Sequence, residues 1–292
     1  MLPVEDRAHP GRPNSTCCMV SNNHLRSADL HQLFGNFHDT TSLSSVGKAV
    51  EMRNNALERK LGAFVALSET ELSVLDELNK RRRTFVAGRD IVEQGQTEQS
   101  AYVLASGWAC SYKLLQDGQR QIVDFQIPGD FLGLRSLLMH VSDHSVEPIT
   151  DVEVTEVLRD DLLGAFTQTP RLATAVLLAA SRDEAMVVEH LVGIGRRNAA
   201  ERLANFLLEL GARLTLVGLG SKAGFECPLT QYLMADAVGL SAVHVNRVLR
   251  QLREDGLVTV HEGFVSFDDY DRLAKFAEFD LTYMDQIGPL LK

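Results

Sequence analysis

The stretch LTQYLMADAVGLSAVHVNRVLRQL, residues 229 to 252, leaves a chain few ways to fold. Val245, Val248, Leu249 and Leu252 recur at i, i+3, i+4 and i+7, which makes one apolar stripe on a helix. Val243, Asn246, Arg247 and Arg250 share the opposite face. Upstream, Thr230 is placed to cap a shorter helix that Gly239 breaks; Leu240 anchors the turn and Ser241 caps the second helix. Ala235, four residues before the glycine, is small enough to let two crossing helices approach. These spacings predict a helix-turn-helix, whose second helix presents its N-terminal half to base edges in the major groove.

The charge pattern agrees. Residues 241 to 253 hold Arg247, Arg250 and Arg253 and no acid, whereas the whole chain of 292 residues has a net charge of -10. A negative partner is therefore met locally, not over the entire surface. The competing reading is a merely solvated basic face. Against it stands EDGLVTVHEGFVSF, two β-prone runs around a His261-Glu262-Gly263 turn, which predicts the hairpin wing of a winged helix.

Before this segment, residues 57 to 81 predict helices with a Ser68 to Glu71 capping box. From Thr84 to about Arg159 the runs TFVA, DIVEQ, AYVLASG, ACSYKLL, QIVDFQI and VEVTEVL are punctuated by glycines, the mark of a compact antiparallel roll. After Pro170 a long helix is expected to about Ile194. Ala173, Leu177, Ala180, Val187, Leu191 and Ile194 form one heptad stripe, interrupted by Glu184. That stripe either packs on the roll or is the seam of a two-helix dimer; its length, small residues and position between two domains favour the seam. RRNAAERLANFLLELGARL is read as a further amphipathic helix, and GLGSKAGFECP as a glycine-rich connector.

The expected fold class is therefore α+β: an antiparallel, jelly-roll-like β-roll sensor domain, a long dimerisation helix, and a C-terminal winged helix-turn-helix. The boundaries are a poorly ordered extension at 1–55, the roll at 56–168, the helix at 169–195, the winged domain at 196–275 and a tail at 276–292. Cys17 and Cys18 with His24, His31 and His38 could ligate a metal if folded together, but no established ligand spacing is met and a polar tail is the preferred reading. The four cysteines form no C-x-x-C pair, which fits a reducing cytoplasm. The longest apolar run, 172 to 180, is too short to span a bilayer. No G-x-S-x-G elbow, Walker A loop or H-E-x-x-H helix supports an enzyme.

The glycines of FVAGRDIVEQGQ, YVLASG, LLQDGQ and IPGDFLG, followed by the long helix and LTQYLMADAVGLSAVHVNRVLRQLREDGLVTV, resemble the Crp/Fnr family of bacterial transcription regulators over about residues 57 to 270. The resemblance implies a cyclic-nucleotide-binding-like roll, a parallel homodimer, and paired recognition helices on a palindromic double-stranded DNA site. RNA polymerase is the expected further partner, and no membrane is. In the family's cyclic AMP responders a glycine-glutamate stretch and an arginine-serine pair hold the phosphate. Here the candidate effector pocket is Gly133, Arg135, His144, Ser145, Val187 and Val188, with His144-Ser145 in place of that pair and Leu134 following Gly133. Neutral histidine replaces a phosphate-forking arginine poorly, and the two valines offer adenine no hydrogen bond, so cyclic AMP independence is expected.

The DNA face departs too. Val243, Asn246 and Arg247 stand where the family commonly has glutamate, then serine or glycine, and arginine. Arg247 is expected to fork guanine, Asn246 to pair with adenine and Val243 to touch a thymine methyl; Arg250, Ser241 and His244 are expected at phosphate or the rim, with Ala242 beside them. No cofactor is expected. The alternatives are a redox, metal or haem-responsive member of the same family, Cys110 or Cys227 being the thiol candidates, or a ligand-binding module without DNA binding.

Overall fold

The computed structural model describes residues 55–97, 100–139, 141–280 and 282. The expectations for the first 54 residues, including Cys17, Cys18, His24, His31 and His38, lie outside them.

Two short helices come first, α1 (Ala56–Gly62) and α2 (Glu69–Leu78). Asn55 caps α1 by accepting from the Glu58 N–H, and α2 has the Ser68/Glu71 capping box read from the sequence. The roll follows: β1 (Arg82–Phe85), β2 (Ala101–Ser106), β3 (Ala109–Leu114), β4 (Arg120–Gln126), β5 (Phe131–Leu132), a short α3 (Leu134–Leu138), β6 (Ser145–Pro148) and β7 (Val152–Val157). All pairings are antiparallel, in two sheets ordered β1-β7-β2-β5 and β4-β3-β6. Leu104, Ala109, Leu132, Val146 and Val154 are buried together inside the roll.

One expected strand is absent. DIVEQ touches β6 through the Val92–Val146 bridge but forms no ladder. The Ile91 N–H donates to the Val146 carbonyl and the Val146 N–H to the Val92 carbonyl, both at 2.8 Å, but the Gln94 N–H goes to the Ser145 hydroxyl. The strand that does form, β6, ends in Pro148, which an edge position tolerates because no further strand needs its missing N–H.

Helix α4 (Arg159–Gln168) leads into α5 (Pro170–Arg196), which starts with proline in its first turn. Leu172, Ala175, Val176, Ala179 and Met186 face inward, the first four packing with Leu57, Leu61 and Leu75 of α1 and α2. The heptad stripe faces the other way. Ala173 is half-buried, but Leu177, Ala180, Glu184, Val187, Leu191 and Ile194 are exposed, with Leu177 at 66% and Leu191 at 69%. Packing on the roll is thus excluded as the use of this face.

The next helix corrects the sequence reading. α6 (Ala199–Leu216), capped by an Asn198/Glu201 box, is buried on every side from Leu203 to Leu214, not on one face. A helix in that position is central to a core, not a surface element. Trp108, Cys110, Ile122, Phe125 and Ile127 of the roll share one apolar cluster with α6 and the elements after it, and the Phe125 and Phe206 rings lie 5.7 Å apart.

The connector is also more than a connector. It forms β8 (Gly220–Ser221) and β9 (Gly224–Glu226), which precede α7 (Gln231–Val238), α8 (Ala242–Glu254), β10 (Val258–His261), β11 (Phe264–Phe267) and α9 (Tyr270–Phe276). The wing is a four-stranded sheet, β10-β11-β9-β8, in place of the lone hairpin expected. Gly224 permits this: its φ is +145°, and a Cβ there would lie 2.0 Å from the Val265 carbonyl oxygen. Glu262 and Gly263, both at positive φ, make the two-residue turn between β10 and β11. Among the described residues no helix is long and apolar enough to cross a membrane.

Candidate nucleic-acid interface

Local chemistry sets the angle between α7 and α8. The Thr230 hydroxyl accepts from the Leu233 N–H and starts α7; Gly239, at φ +65°, ends it, letting the Leu240 N–H reach the Ala235 carbonyl at 3.0 Å. Ser241 then caps α8 by accepting from the His244 N–H at 3.2 Å. Val245, Val248 and Leu252 are buried in the cluster that also holds Met234, Ala235 and Val238 of α7. The Arg202 side chain secures the turn from behind, donating to the Val238 carbonyl at 2.7 Å.

This packing leaves the predicted reading face free. Ser241, Val243, His244, Asn246, Arg247 and Arg250 are all exposed, Val243 at 72%, and Ala242 is half-buried. Among the described residues no hydrogen bond or ion pair engages the Arg247 or Arg250 guanidinium, so neither is held by the protein's own acids. Asn246 is held: its Nδ2 donates to Gln231 Oε1 at 3.0 Å. The sequence reading missed Gln231, a neutral side chain in the other helix whose position directly after the Thr230 cap was the available signal.

The candidate effector residues meet only in part. Arg135 donates to Asp143 Oδ2 at 2.8 Å, His144 Nδ1 lies 2.8 Å from Asp143 Oδ1, and Lys113 Nζ is 3.6 Å from Asp143. Burial works against the Asp143 carboxylate, but His144 and Arg135 outweigh it and hold its pKa below the usual range. Gly133, at φ +68°, starts α3, and Ser145 is buried against the Gln94 backbone. Val187 and Val188 are exposed on α5.

A second feature unread in the sequence is a buried ionic network where the roll, α1, α5 and α6 meet. Arg213 of α6 donates to Asp124 at 2.9 Å and to Asp130 and the Phe125 carbonyl at 2.8 Å. Lys60 of α1 reaches the other oxygen of Asp130 at 2.7 Å, and His190 of α5 lies 3.0 Å from Glu209. Arg120 and Gln121 of β4 bind Asp236 at the far end of α7, at 3.1 and 2.8 Å. The helix-turn-helix is thereby tied to its own roll by charge as well as by packing.

The two described cysteines are poor redox sensors. Burial, aided by Glu147, pushes the Cys110 thiol up to about 12, and burial pushes Cys227 up to about 11, so neither supplies a thiolate near neutrality. Among the described residues no three His, Cys, Asp or Glu side chains are grouped to hold a metal ion.

Comparison with known proteins fits this geometry. The cyclic nucleotide-binding domain model matches residues 82–169, and the Crp-like helix-turn-helix domain model matches 201–276. The nitrogen fixation regulation protein FixK of Bradyrhizobium diazoefficiens is 32% identical over 213 residues, 73% of this chain and 88% of that protein. The fumarate and nitrate reduction regulatory protein of Vibrio cholerae is 24% identical over 238 residues, 80% of this chain and 93% of its own. The solved structure of FixK2 from Bradyrhizobium japonicum superposes with a TM-score of 0.60 at 28% identity, covering 67% of this chain and 96% of that one.

Proposed function

The chain belongs to the Crp/Fnr family of DNA-binding transcription regulators, and we propose that it acts as a homodimer whose two α8 helices read a palindromic site. The observation that carries this reading is the outward face of α8, where Val243, Asn246, Arg247 and Arg250 are exposed to solvent while Val245, Val248 and Leu252 opposite them are buried. Arg247 forks guanine O6 and N7, a contact worth about 1–3 kcal/mol of discrimination; Asn246 meets adenine, and Val243 a thymine methyl. Arg250, Ser241 and His244 meet phosphate, helped by the N–H groups that open α8, and Ala242 lets the backbone approach.

The dimer seam is the exposed stripe of α5, Leu177, Ala180, Glu184, Val187, Leu191 and Ile194, with Ala173 at its margin. It supplies the two-fold axis, and an isologous seam repeats each contact across that axis. Half-sites then lie about one helical turn apart. Bound near a promoter, such a dimer recruits or blocks RNA polymerase. Cyclic AMP independence is supported by Asp143, whose carboxylate already engages Arg135 and His144, the two candidate pocket side chains able to donate to an anion.

Selection of duplexes from a randomised library tests the reading. A two-fold symmetric consensus is the expected outcome, and enrichment of single unrepeated half-sites contradicts the dimer.

A further inference from the structure

The hydrogen bond from Asn246 to Gln231 joins the reading helix to the helix before it, at the face left open to solvent. A primary amide has two N–H donors on one side and a carbonyl oxygen on the other, and a free asparagine can turn either outward. Here one N–H is spent on Gln231 Oε1. The second N–H and Oδ1 remain, and adenine is the base whose major-groove edge matches that pair, accepting at N7 and donating from N6.

We propose that Gln231 is a positioning residue for base readout: by accepting from Nδ2 it fixes the amide of Asn246 and commits one position of each half-site to adenine. This rests on the reading of α8 as the recognition helix. Without Gln231 the amide is free to rotate and presents its NH₂ group equally well to guanine or to thymine O4, so the preference broadens while the contact survives. Gln231 touches no base in this account. Its effect passes through Asn246.

The assignment is testable because residue 231 can be made acceptor-only or donor-only. The full chain and its Gln231→Ala, Gln231→Glu, Gln231→Lys and Asn246→Ala variants are each used to select from a library randomised across the site. Preferences are compared between positions within one protein, which removes overall changes in affinity. The native chain is expected to select adenine at one position per half-site, and Asn246→Ala to lose that preference alone. Gln231→Ala should reduce it about tenfold while leaving the guanine under Arg247 and the thermal midpoint unchanged. Gln231→Glu, which still accepts, should keep adenine; Gln231→Lys, which only donates, should turn Oδ1 inward and shift the position towards guanine.

Full adenine preference in Gln231→Ala, alongside its loss in Asn246→Ala, overturns the positioning role and leaves the recognition helix standing. A native chain that selects no sequence overturns both.

Discussion

Arg213 on α6 reaches into the roll and donates to Asp130 through Nη2 at 2.8 Å, while Lys60 holds the other oxygen of the same carboxylate at 2.7 Å. Three buried side chains from α6, the roll and α1 thus bring two cations onto one anion. Such a cluster is costly to assemble, and costlier to leave incomplete.

Replacing Arg213 by alanine takes the guanidinium away from Asp124, Asp130 and Glu209, leaving Asp130 with Lys60 and Glu209 with His190. The expected loss is about 3–5 kcal/mol of stability, read as a lower urea midpoint. Methionine, apolar and of similar length, restores no charge to the buried carboxylates and should rescue little of that loss. A midpoint unchanged in both variants contradicts a structural role for the network.

The network also sets how stability changes with pH. Burial opposes ionisation of Asp130, but Lys60 and Arg213 outweigh it and hold its pKa well below its ordinary 3.8. Its contribution is full above 3.8 and is lost as pH falls through the depressed value. His190 behaves in reverse: burial disfavours its charge, Glu209 outweighs burial, and its pKa rises above 6.5. Its contribution is full below 6.5 and is lost as pH rises through the raised value. Urea midpoints followed from pH 6 to 9 should fall in the native chain, and the fall should be smaller in His190→Asn.

Leu191 tests the seam with little risk to the fold, since it is 69% exposed in the single chain. Leu191→Glu places two carboxylates across the two-fold axis, and light scattering should show a monomer with an unchanged circular dichroism spectrum. A dimer of native stability would move the seam elsewhere.

Cyclic AMP should release no binding heat in calorimetry and leave the affinity for the selected DNA unchanged. Asp143→Ala frees Arg135 and His144 and should raise affinity for anions such as inorganic phosphate at this position. Tight cyclic AMP binding by the native chain contradicts the role given to Asp143.

What the sequence made legible follows the range of the interactions involved. Gly239, Ala235, Thr230 and Ser241 act within a few residues of themselves, so the helix-turn-helix and its caps are written in local spacing. β9 depends on β11, far along the chain, and the Gln94 N–H of DIVEQ goes to the Ser145 hydroxyl, which no local pattern announces. Glu209 and Arg213 gave α6 the look of an amphipathic helix because charged residues usually face water. Their partners, His190, Asp124 and Asp130, come from other elements and turn that face into core. The reading face was legible as a stripe, but the link from Asn246 to Gln231 depends on how two helices cross.

The central claim is that α8 reads base sequence, and Arg247 tests it most directly. Affinity of the native chain and of Arg247→Ala is measured on the selected palindrome and on random duplex at one fixed salt concentration. The account predicts that Arg247→Ala weakens the palindrome by roughly tenfold or more per half-site while random duplex changes little. Equal losses on both would make Arg247 a phosphate contact and contradict base reading by this helix.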